Sequence, residues 1–436
     1  MKEQEEKVSF VRETIKDKPV NRRKLFKRTL LTVSLAVVFG LVACFTFLVL
    51  EPVISNILYP EKISKIEFPE EENEIQPEEM LTEKEVTQAQ QAVEDAETAE
   101  VIQAVQNNTL QLTPESYQSI YRMLYQIATD CDASIATVTG TETDVDWLQN
   151  TIENKNTTSG LIVADNGVEY LILAYLEDLG DASDYHVTLC GNQTVTASLK
   201  MQDSNTRLAI FGVEKEKLSA DTLSRVQIAK LGNSSMSNMV GSPVIAIGSP
   251  IGVSDSVSYG VVTSNSTVMP LVDSNYRILT TSMFGGRKSS GVLINTNGEV
   301  LGIITGSAMN AFEGDAISAF SISDLKKLIE KMSNGEEMAY LGIYGMDVTY
   351  EAHEELGIPY GAYVTEVEQE SPAMKAGIVN GNVICKVKST MVSSYYEYRN
   401  AIMDLNPEET VTVTIMRYNG TEYEEHKVDI MAQKLP

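Results

Sequence analysis

Short apolar runs broken by Gly, Asn, Asp and Ser dominate the chain between about residues 133 and 305. These runs are 134–139, 160–164, 170–176, 186–189, 244–247, 257–263 and 291–295. Many short strands separated by frequent turn signals are typical of an all-β barrel or sandwich. A helix is expected at 323–333, where three apolar residues share one face, and another at 395–405 among further strands. The pattern therefore predicts a mostly β fold followed by a smaller α+β part.

An uncharged apolar run of 21 residues, 30–50, follows a basic N-terminal tail. At about 1.5 Å per helical residue, this run can span a hydrocarbon core of roughly 30 Å. The tail, 1–28, holds ten Lys/Arg against five Asp/Glu, and basic flanks stay on the cytoplasmic side of a membrane. We therefore predict a transmembrane helix at 29–51, with the tail cytoplasmic and the later domains extracytoplasmic. The alternative is a cleaved signal peptide, which has a shorter apolar region and a small-residue cleavage site that 51–54 (EPVI) does not offer.

Residues 52–113 are expected to form an acidic linker. Seven of the 13 residues from 67 to 79 are glutamates, a composition that favours an extended, solvated spacer. The Ala, Glu and Gln content of 82–106 is compatible with a helix, but its large apolar residues lack coiled-coil spacing. Pro114 then begins a short amphipathic helix, which we expect to dock on the next domain. Its apolar face consists of Tyr117, Ile120, Tyr121, Leu124 and Tyr125.

Charge and cysteine content argue against several classes of function. The chain has a net charge of −27, and after position 28 it has 24 basic and 56 acidic residues. Such an acidic surface argues against nucleic acid or another polyanion as a partner. Of the four cysteines, the three outside the apolar run form neither a disulfide framework nor a metal-site pattern. We predict no metal and no cofactor.

A serine-containing motif is the strongest sign of chemistry in the chain. Residues 287–295 (RKSSGVLIN) and 298–303 (GEVLGI) resemble the nucleophile strand of trypsin-like serine proteases of the HtrA/Deg family, GNSGGPLVN…GEVIGI. Further segments match the family in order: 158–162 (TSGLI), 231–234 (LGNS), 240–252 (VGSPVIAIGSPIG) and 256–263 (SVSYGVVT). The resemblance implies a trypsin-like domain over 114–335, built from two packed six-stranded β-barrels with the active site between them.

The C-terminal segment, 338–432, resembles the PDZ domain that commonly follows this protease domain. The matching residues are 340–343 (YLGI), 371–378 (SPAMKAGI) and 381–384 (GNVI). By resemblance, one loop offers backbone N–H groups to a peptide carboxylate, and the following strand pairs with the peptide. The residues of that loop are Tyr340, Leu341, Gly342 and Ile343. The alternative is a PDZ-like fold that serves only as a spacer.

The family's catalytic triad is altered in this chain. Ser289 aligns with the nucleophile, but a serine hydroxyl needs a positioned base to take its proton. Tyr175 occupies the histidine position, or Leu176 does if the register shifts by one residue. A tyrosine, with an ordinary pKa of about 10, is a poor base at neutral pH. Arg207 occupies the aspartate position, where its charge would repel the imidazolium that an aspartate stabilises.

The oxyanion loop is altered as well. In the family, the N–H groups of the serine and of a glycine two residues earlier form the oxyanion hole, and here these residues are Ser289 and Arg287. Arginine in a glycine conformation costs on the order of 1 kcal/mol, so we expect the loop to relax and its donors to diverge. Lys288 adjoins the serine but points to the opposite face of an extended chain. The sequence does not exclude that a lysine from elsewhere in the fold, such as Lys230, acts as the base for Ser289.

Together these features predict a membrane-anchored pseudoprotease that binds peptides or unfolded protein segments in envelope protein quality control. The chain's three histidines are expected on an ordinary strand and in the PDZ-like segment: His186, His353 and His426. The alternative is an active serine endopeptidase that uses Ser289 with a non-standard base. The resemblance also implies a homotrimer or an association with an active relative.

Overall fold

The structure, a computed structural model, describes Val33 and the following residues: 64–69, 113–145, 151–236, 238–286, 288–306, 308 and 314–436. The chain divides into two compact units, Met1–Lys62 and Ile63–Pro436, and every element below belongs to the second. The predicted tail and transmembrane helix lie outside the described residues, apart from Val33. Within the described part of the chain, no helix is both long and apolar enough to cross a membrane.

The first barrel is built from six antiparallel strands. They are β1 (Ile135–Val145), β2 (Thr151–Asp165), β3 (Glu169–Tyr175), β4 (Asp184–Leu189), β5 (Gln193–Gln202) and β6 (Leu208–Glu214). The order β1-β2-β3-β6-β5-β4 closes because β1 pairs with both β2 and β4. Closure leaves no free strand edge, and apolar side chains such as Ile162, Ile172 and Phe211 fill the interior.

The second barrel repeats this architecture further along the chain. Its strands are β7 (Pro243–Ser249), β8 (Ser256–Leu271), β9 (Ser274–Phe284), β10 (Ser290–Ile294), β11 (Val300–Ile304) and β12 (Ala316–Ser321). They close in the order β10-β11-β12-β9-β8-β7. Strands β8 and β9 form a long hairpin, in which Leu271 pairs with Ser274 next to the turn.

The C-terminal part contains a separate sheet. Its strands are β13 (Ala339–Tyr340), β14 (Ile343–Asp347), β15 (Ala362–Val367), β16 (Val383–Val387), β17 (Thr390–Met391), β18 (Thr410–Tyr418), β19 (Tyr423–Met431) and β20 (Gln433–Lys434). The main sheet has the order β14-β15-β16-β18-β19, while β17 pairs with β16 and β13 with β20. Strand β14 is therefore at one edge of the sheet.

Helices connect and flank these sheets. They are α1 (Pro114–Cys131), α2 (Ala220–Arg225), α3 (Ile322–Ser333), α4 (Tyr350–Leu356), α5 (Pro372–Lys375) and α6 (Tyr395–Met403). Helix α1 begins as its sequence predicts, because the Thr113 hydroxyl accepts the Ser116 N–H and Pro114 occupies the first turn. Helix α3 packs Leu325, Leu328 and Ile329 into the core, the three positions that define its apolar face.

The face on which α1 docks overlaps only in part with the predicted one. Tyr117, Ile120 and Tyr125 are 61%, 47% and 60% exposed. Leu124 of the predicted face does pack against the core, together with three residues outside that face: Ile127, Ala128 and Cys131. Apolar periodicity identified an amphipathic helix, but only the turns nearest the barrel are covered.

The described part of the predicted spacer is not fully solvated. Residues 64–69 lie along the second unit, and the side chains of Ile66 and Phe68 pack against the barrel core. The Ile66 N–H donates to Asn334 Oδ1 (2.9 Å) and the Phe68 N–H to Glu330 Oε2 (3.0 Å). Two alternating apolar residues thus attach this segment to the fold, despite the acidic residues that follow it.

One apolar core joins the two barrels. It includes Leu173 and Leu208 from the first barrel, Ile247 and Val292 from the second, and the inner face of α3. The prediction of two six-stranded barrels followed by a PDZ-like α+β domain is confirmed. Of the residues predicted at the triad positions, Tyr175 ends β3 and Arg207 precedes β6 in the first barrel, while Ser289 precedes β10 in the second.

Candidate functional site

Strand β10 fixes the position of the serine motif in the second barrel. It lies between β7 and β11, and Gly291 pairs with Gly248. Gly291 has φ of 129°, and a methyl group there would collide with the carbonyl oxygen of Ile247. Glycine at this position therefore allows the two strands to approach closely, with Ser289 immediately before β10.

Ser289 is enclosed by its own turn. Its side chain is 0% exposed, and Oγ accepts the Gly286 N–H at 2.8 Å. The Ser289 N–H donates to the Gly286 carbonyl oxygen, also at 2.8 Å. A methyl group at Gly285 would collide with Ser289 Oγ, so the preceding glycine lies directly against the hydroxyl. The N–H and the hydroxyl oxygen of Ser289 are thus both used within the turn.

This turn removes one donor from a potential oxyanion hole. An oxyanion hole needs N–H groups that point at the substrate oxygen, whereas the Ser289 N–H points at Gly286. The other predicted member of the loop, Arg287, lies outside the described residues. Lys288 is exposed.

The predicted histidine position lies at the end of β3. Tyr175 is the last residue of β3, pairs with Leu208 of β6 and is buried. Its hydroxyl donates to the Glu177 carboxylate. Leu176, the alternative in the other register, is half-buried and donates its N–H to the Arg207 carbonyl oxygen at 2.9 Å. Neither side chain is a base at neutral pH.

The aspartate position lies next to it, just before β6. Arg207 is exposed and has φ of 59°. Its N–H donates to the Asp203 carbonyl oxygen at 2.9 Å. The buried Asp203 carboxylate accepts the Thr206 N–H (2.7 Å) and hydroxyl (2.6 Å). Burial raises the pKa of Asp203, against the lowering effect of these hydrogen bonds.

A carboxyl group that the sequence analysis missed lies close to this site. Asp178 accepts the Thr158 hydroxyl at 2.9 Å and is half-buried. Burial raises the pKa of Asp178 to about 6, although the Thr158 hydrogen bond and the charge of Lys288 act in the opposite direction. Its only signal in the sequence is its place three residues after Tyr175.

The remaining candidate bases lie elsewhere. Lys230 is exposed, and its backbone carbonyl accepts the Val300 N–H. His186 lies on β4, paired with strands of the first barrel, while His353 Nδ1 bonds to the Ile358 carbonyl and His426 lies on β19. Among the described residues, no histidine or lysine is hydrogen-bonded to Ser289 Oγ.

The serine after Ser289 joins the two barrels. Ser290 Oγ accepts the Ser159 N–H at 3.1 Å and lies 3.3 Å from Ser159 Oγ, to which it donates. Beside this contact is a narrow cleft between the barrels, lined by residues that include Thr158, Ser159, Gly248 and Ser249. The hydroxyl group of Ser290, which aligns with a glycine of the family motif, therefore links the two barrels beside this cleft.

The loop predicted to bind a peptide carboxylate lies at the edge of the C-terminal sheet. Tyr340 belongs to β13 and donates its hydroxyl to Glu368, while Gly342 has φ of 89°. The N–H groups of Leu341, Gly342 and Ile343 converge on one carboxylate, that of Asp273. Asp273 lies in the β8–β9 turn of the second barrel, so the loop already holds an acidic ligand from its own chain.

No metal centre accompanies these sites in the described part of the chain. No group of three or more His, Cys, Asp or Glu side chains there is arranged to hold an ion. The three described cysteines, Cys131, Cys190 and Cys385, are free thiols.

The two barrels and the sheet that follows them define a class of protein. The family model for the PDZ domain matches residues 339–430. The solved structure of "HtrA-type protease AlgW with decapeptide" superposes with a TM-score of 0.52 at 19% identity, covering 72% of this chain and 98% of that one. The fold is that of a trypsin-like serine protease domain joined to a PDZ domain.

Sequence similarity identifies the family. The chain is 30% identical over 272 residues to "Serine endoprotease DegS" of Haemophilus influenzae, covering 61% of this chain and 75% of the relative. It therefore belongs to the HtrA/Deg family. It is also 32% identical over 271 residues to "Probable periplasmic serine endoprotease DegP-like" of Chlamydia trachomatis, covering 60% of this chain. The match spans about half of that relative, 52% of its length.

Proposed function

We propose that this chain is a catalytically silent member of the HtrA/Deg family that binds polypeptide segments at the cell envelope. The observation that carries the proposal is the enclosure of Ser289. A serine nucleophile needs an accessible oxygen and a base within about 3 Å. Here Oγ is fully buried and accepts a backbone N–H from Gly286. The positions of the histidine and the aspartate hold Tyr175 and Arg207.

The platform role follows from what the chain retains. Both barrels, the cleft between them and the PDZ domain are present, so binding surfaces persist without the chemistry. We propose peptides or unfolded segments as ligands, since the AlgW structure carries a decapeptide. The basic tail and the 21-residue apolar run support anchoring in the cell membrane, with the folded unit outside. A homotrimer, or an association with an active relative, would bring several such platforms together.

One observation favours the alternative of an active endopeptidase. Burial raises the pKa of Asp178 to about 6, close to the range of a general base. The carboxyl also interacts with the charge of Lys288, the neighbour of Ser289. A rearranged turn that releases Ser289 Oγ could therefore use Asp178 as its base.

A fluorophosphonate probe separates the two functions. The full-length chain in detergent should remain unlabelled, while the DegS protein of Haemophilus influenzae serves as the positive control. Ser254 also lines the cleft between the barrels. Labelling that Ser289→Ala abolishes, and that Ser254→Ala leaves intact, would overturn catalytic silence. Loss of the same labelling in Asp178→Asn would then identify the base. Binding of fluorescent, reduced casein to the wild-type chain, without the fluorophosphonate probe, tests the platform role separately.

A further inference from the structure

The turn between β8 and β9 occupies the groove of the PDZ domain. Asp273, in this turn, has φ of 52° and is only 6% exposed. Its carboxylate accepts four hydrogen bonds: Leu341 N–H (2.7 Å), Gly342 N–H (2.7 Å), Ile343 N–H (3.1 Å) and the Tyr398 hydroxyl (2.6 Å). Bonds to an ionised carboxylate are roughly twice as strong as neutral ones, and three backbone donors define the geometry of an anion site.

The backbone next to Asp273 also follows the edge of the sheet. The Asp273 N–H donates to the Ile343 carbonyl oxygen at 2.7 Å, and Asn275 Nδ2 donates to the Gly345 carbonyl oxygen at 3.0 Å. These two carbonyls alternate along β14, the edge strand that a bound peptide would extend. From the opposite side, Arg399 on α6 donates Nη1 to the Asn275 carbonyl oxygen at 3.0 Å. The turn therefore fills the space between β14 and α6.

The pattern matches the needs of a chain end. A chain end that enters such a groove presents a carboxylate to the loop and an N–H to the edge strand. Asp273 presents both from a single residue: its side chain satisfies the loop, and its own N–H satisfies Ile343. We propose that Asp273 is an internal ligand that occupies the carboxylate-binding loop, and that a polypeptide with a free C-terminal carboxylate reaches the loop only by displacing the β8–β9 turn.

Competition follows from the shared donors. Leu341, Gly342 and Ile343 supply one N–H group each, and Asp273 uses all three. A second carboxylate therefore cannot bind at the same time. The effective concentration of an internal ligand is high, so peptides bind weakly until the turn is weakened. Strand β8 belongs to the protease-like barrel, and the folded barrel thereby controls access to the PDZ groove.

The substitution Asp273→Asn is the sharpest test. Asn tolerates the left-handed backbone of this turn, but it loses the charge and places an amide NH₂ where an oxygen accepts. Tyr398→Phe is a milder second variant that removes one of the four donors. Asp255→Asn is the matched control, because Asp255 also lies in a turn with φ of 58° but is exposed. All variants are made in the full-length chain.

Two measurements read the outcome. The first is hydrogen–deuterium exchange of the segment that contains residues 341–343. The second is the fluorescence anisotropy of a labelled decapeptide pool with apolar last residues, either as free acids or as C-terminal amides. We expect Asp273→Asn to speed exchange at least tenfold and to tighten free-acid binding at least tenfold. The amide pool should bind weakly throughout, Tyr398→Phe should be intermediate, and Asp255→Asn should match the wild type.

Three results would overturn the inference. Unchanged exchange in folded Asp273→Asn would mean that Asp273 does not occupy the loop. Faster exchange of residues 341–343 without tighter binding of the free-acid peptides would exclude a C-terminal carboxylate as the ligand that competes with Asp273. An equal gain for acids and amides would indicate a loosened domain rather than a vacated carboxylate site. If Asp273→Asn fails to fold, Tyr398→Phe decides by the same criteria.

The inference rests on the proposed function only in the choice of chain ends as ligands. The exchange measurement requires no ligand and no catalytic chemistry. Fluorophosphonate labelling of Ser289 would refute catalytic silence without touching the occupancy of the loop, so the two failures are distinguishable.

Discussion

At the scale of single residues, Asp178 is the carboxyl group with the clearest pH-dependent role. It lies half-buried beside Thr158, and burial raises its pKa to about 6. Because the unfolded value is about 3.9, the folded state binds more protons between about pH 4 and pH 6. The stabilising contribution of Asp178 is therefore full below about pH 4 and is lost as the pH rises through about 6.

Asp178→Asn should flatten this part of the stability curve. The variant should gain about 1 kcal/mol in free energy of unfolding relative to the wild type between about pH 4.5 and pH 7.5, after allowance for solvent screening. Urea denaturation at several pH values measures the difference. Asp181→Asn, on the exposed part of the same segment, should keep the wild-type slope. A parallel pair of curves for Asp178→Asn and the wild type would contradict the raised pKa.

The two glycines before Ser289 provide a matched pair of substitutions. A methyl group at Gly285 would collide with Ser289 Oγ and lie 2.8 Å from the Pro250 carbonyl oxygen, whereas one at Gly286 meets nothing within 4 Å. Gly285→Ala should therefore lower the free energy of unfolding by about 1–3 kcal/mol, and Gly286→Ala should change it little. Urea denaturation of both variants tests the packing. Equal stabilities would mean that Ser289 is not enclosed as described.

Residue identity could be predicted from the sequence, but residue environment could not. Aligned motifs predict Ser289, Tyr175 and Arg207 at the triad positions, and the fold brings the last two together at the end of β3 and the start of β6. The enclosure of Ser289 depends on a turn whose hydrogen bonds involve Gly286, which no motif specifies. Asp178 was missed because its raised pKa arises from burial in the fold, and single residues carry no signal of burial.

At the scale of elements, strands with continuous apolar runs were predictable and exposed strands were not. Strands β3 and β10 are almost fully buried and β7 has a buried centre, and short apolar runs marked each of them. Strand β5 was not predicted, because most of its side chains are exposed or half-exposed. Its place in the barrel depends on backbone pairing with β4 and β6, which leaves no apolar pattern. The docked face of α1 was predicted only in part for a related reason, because periodicity does not say which turns are covered.

A buried ion pair attaches helix α3 to the second barrel. The Asp324 carboxylate, in the first turn of α3, accepts the Arg277 N–H at 2.9 Å, Nε at 3.0 Å and Nη2 at 2.7 Å. Asp324→Ala would remove these bonds and a favourable charge at the helix N-terminus. We expect a loss of about 3 kcal/mol in the free energy of unfolding, at the lower end for a broken buried pair because Arg277 is partly exposed.

The control for this pair is an exposed one. Asp221 and Arg225 lie four residues apart on α2 at 3.5 Å, and both side chains are exposed. Asp221→Ala should leave the denaturation curve nearly unchanged, since exposed ion pairs contribute little. If both alanine variants shift the midpoint equally, the Asp324 contact is no stronger than a surface pair.

At the scale of the whole molecule, the contacts between the protease-like domain and the PDZ domain could not be predicted from sequence patterns. Lys327 of α3 pairs with Asp404 at 2.7 Å, and Lys331 Nζ donates to the Met403 carbonyl oxygen at 2.8 Å. Burial lowers the pKa of Lys331. Binding of a peptide carboxylate by the YLGI loop stays a prediction, and the carboxylate that the loop contacts, that of Asp273, lies 68 residues before Leu341 in another domain. Only the packing of two domains brings them together.

The N-terminal anchor is the remaining prediction at this scale, and it comes from the sequence alone. The run 30–50 contains no charge, and a lysine near the centre of a membrane helix costs about 2.5–3.5 kcal/mol on insertion scales. The wild-type chain should therefore stay in the membrane fraction during alkaline carbonate extraction. The double substitution Val38→Lys with Leu41→Lys should release it, while Val38→Leu should not. A soluble wild-type chain that begins after residue 50 would instead indicate a cleaved signal peptide. Protease digestion of intact cells would show on which side of the membrane the folded unit lies.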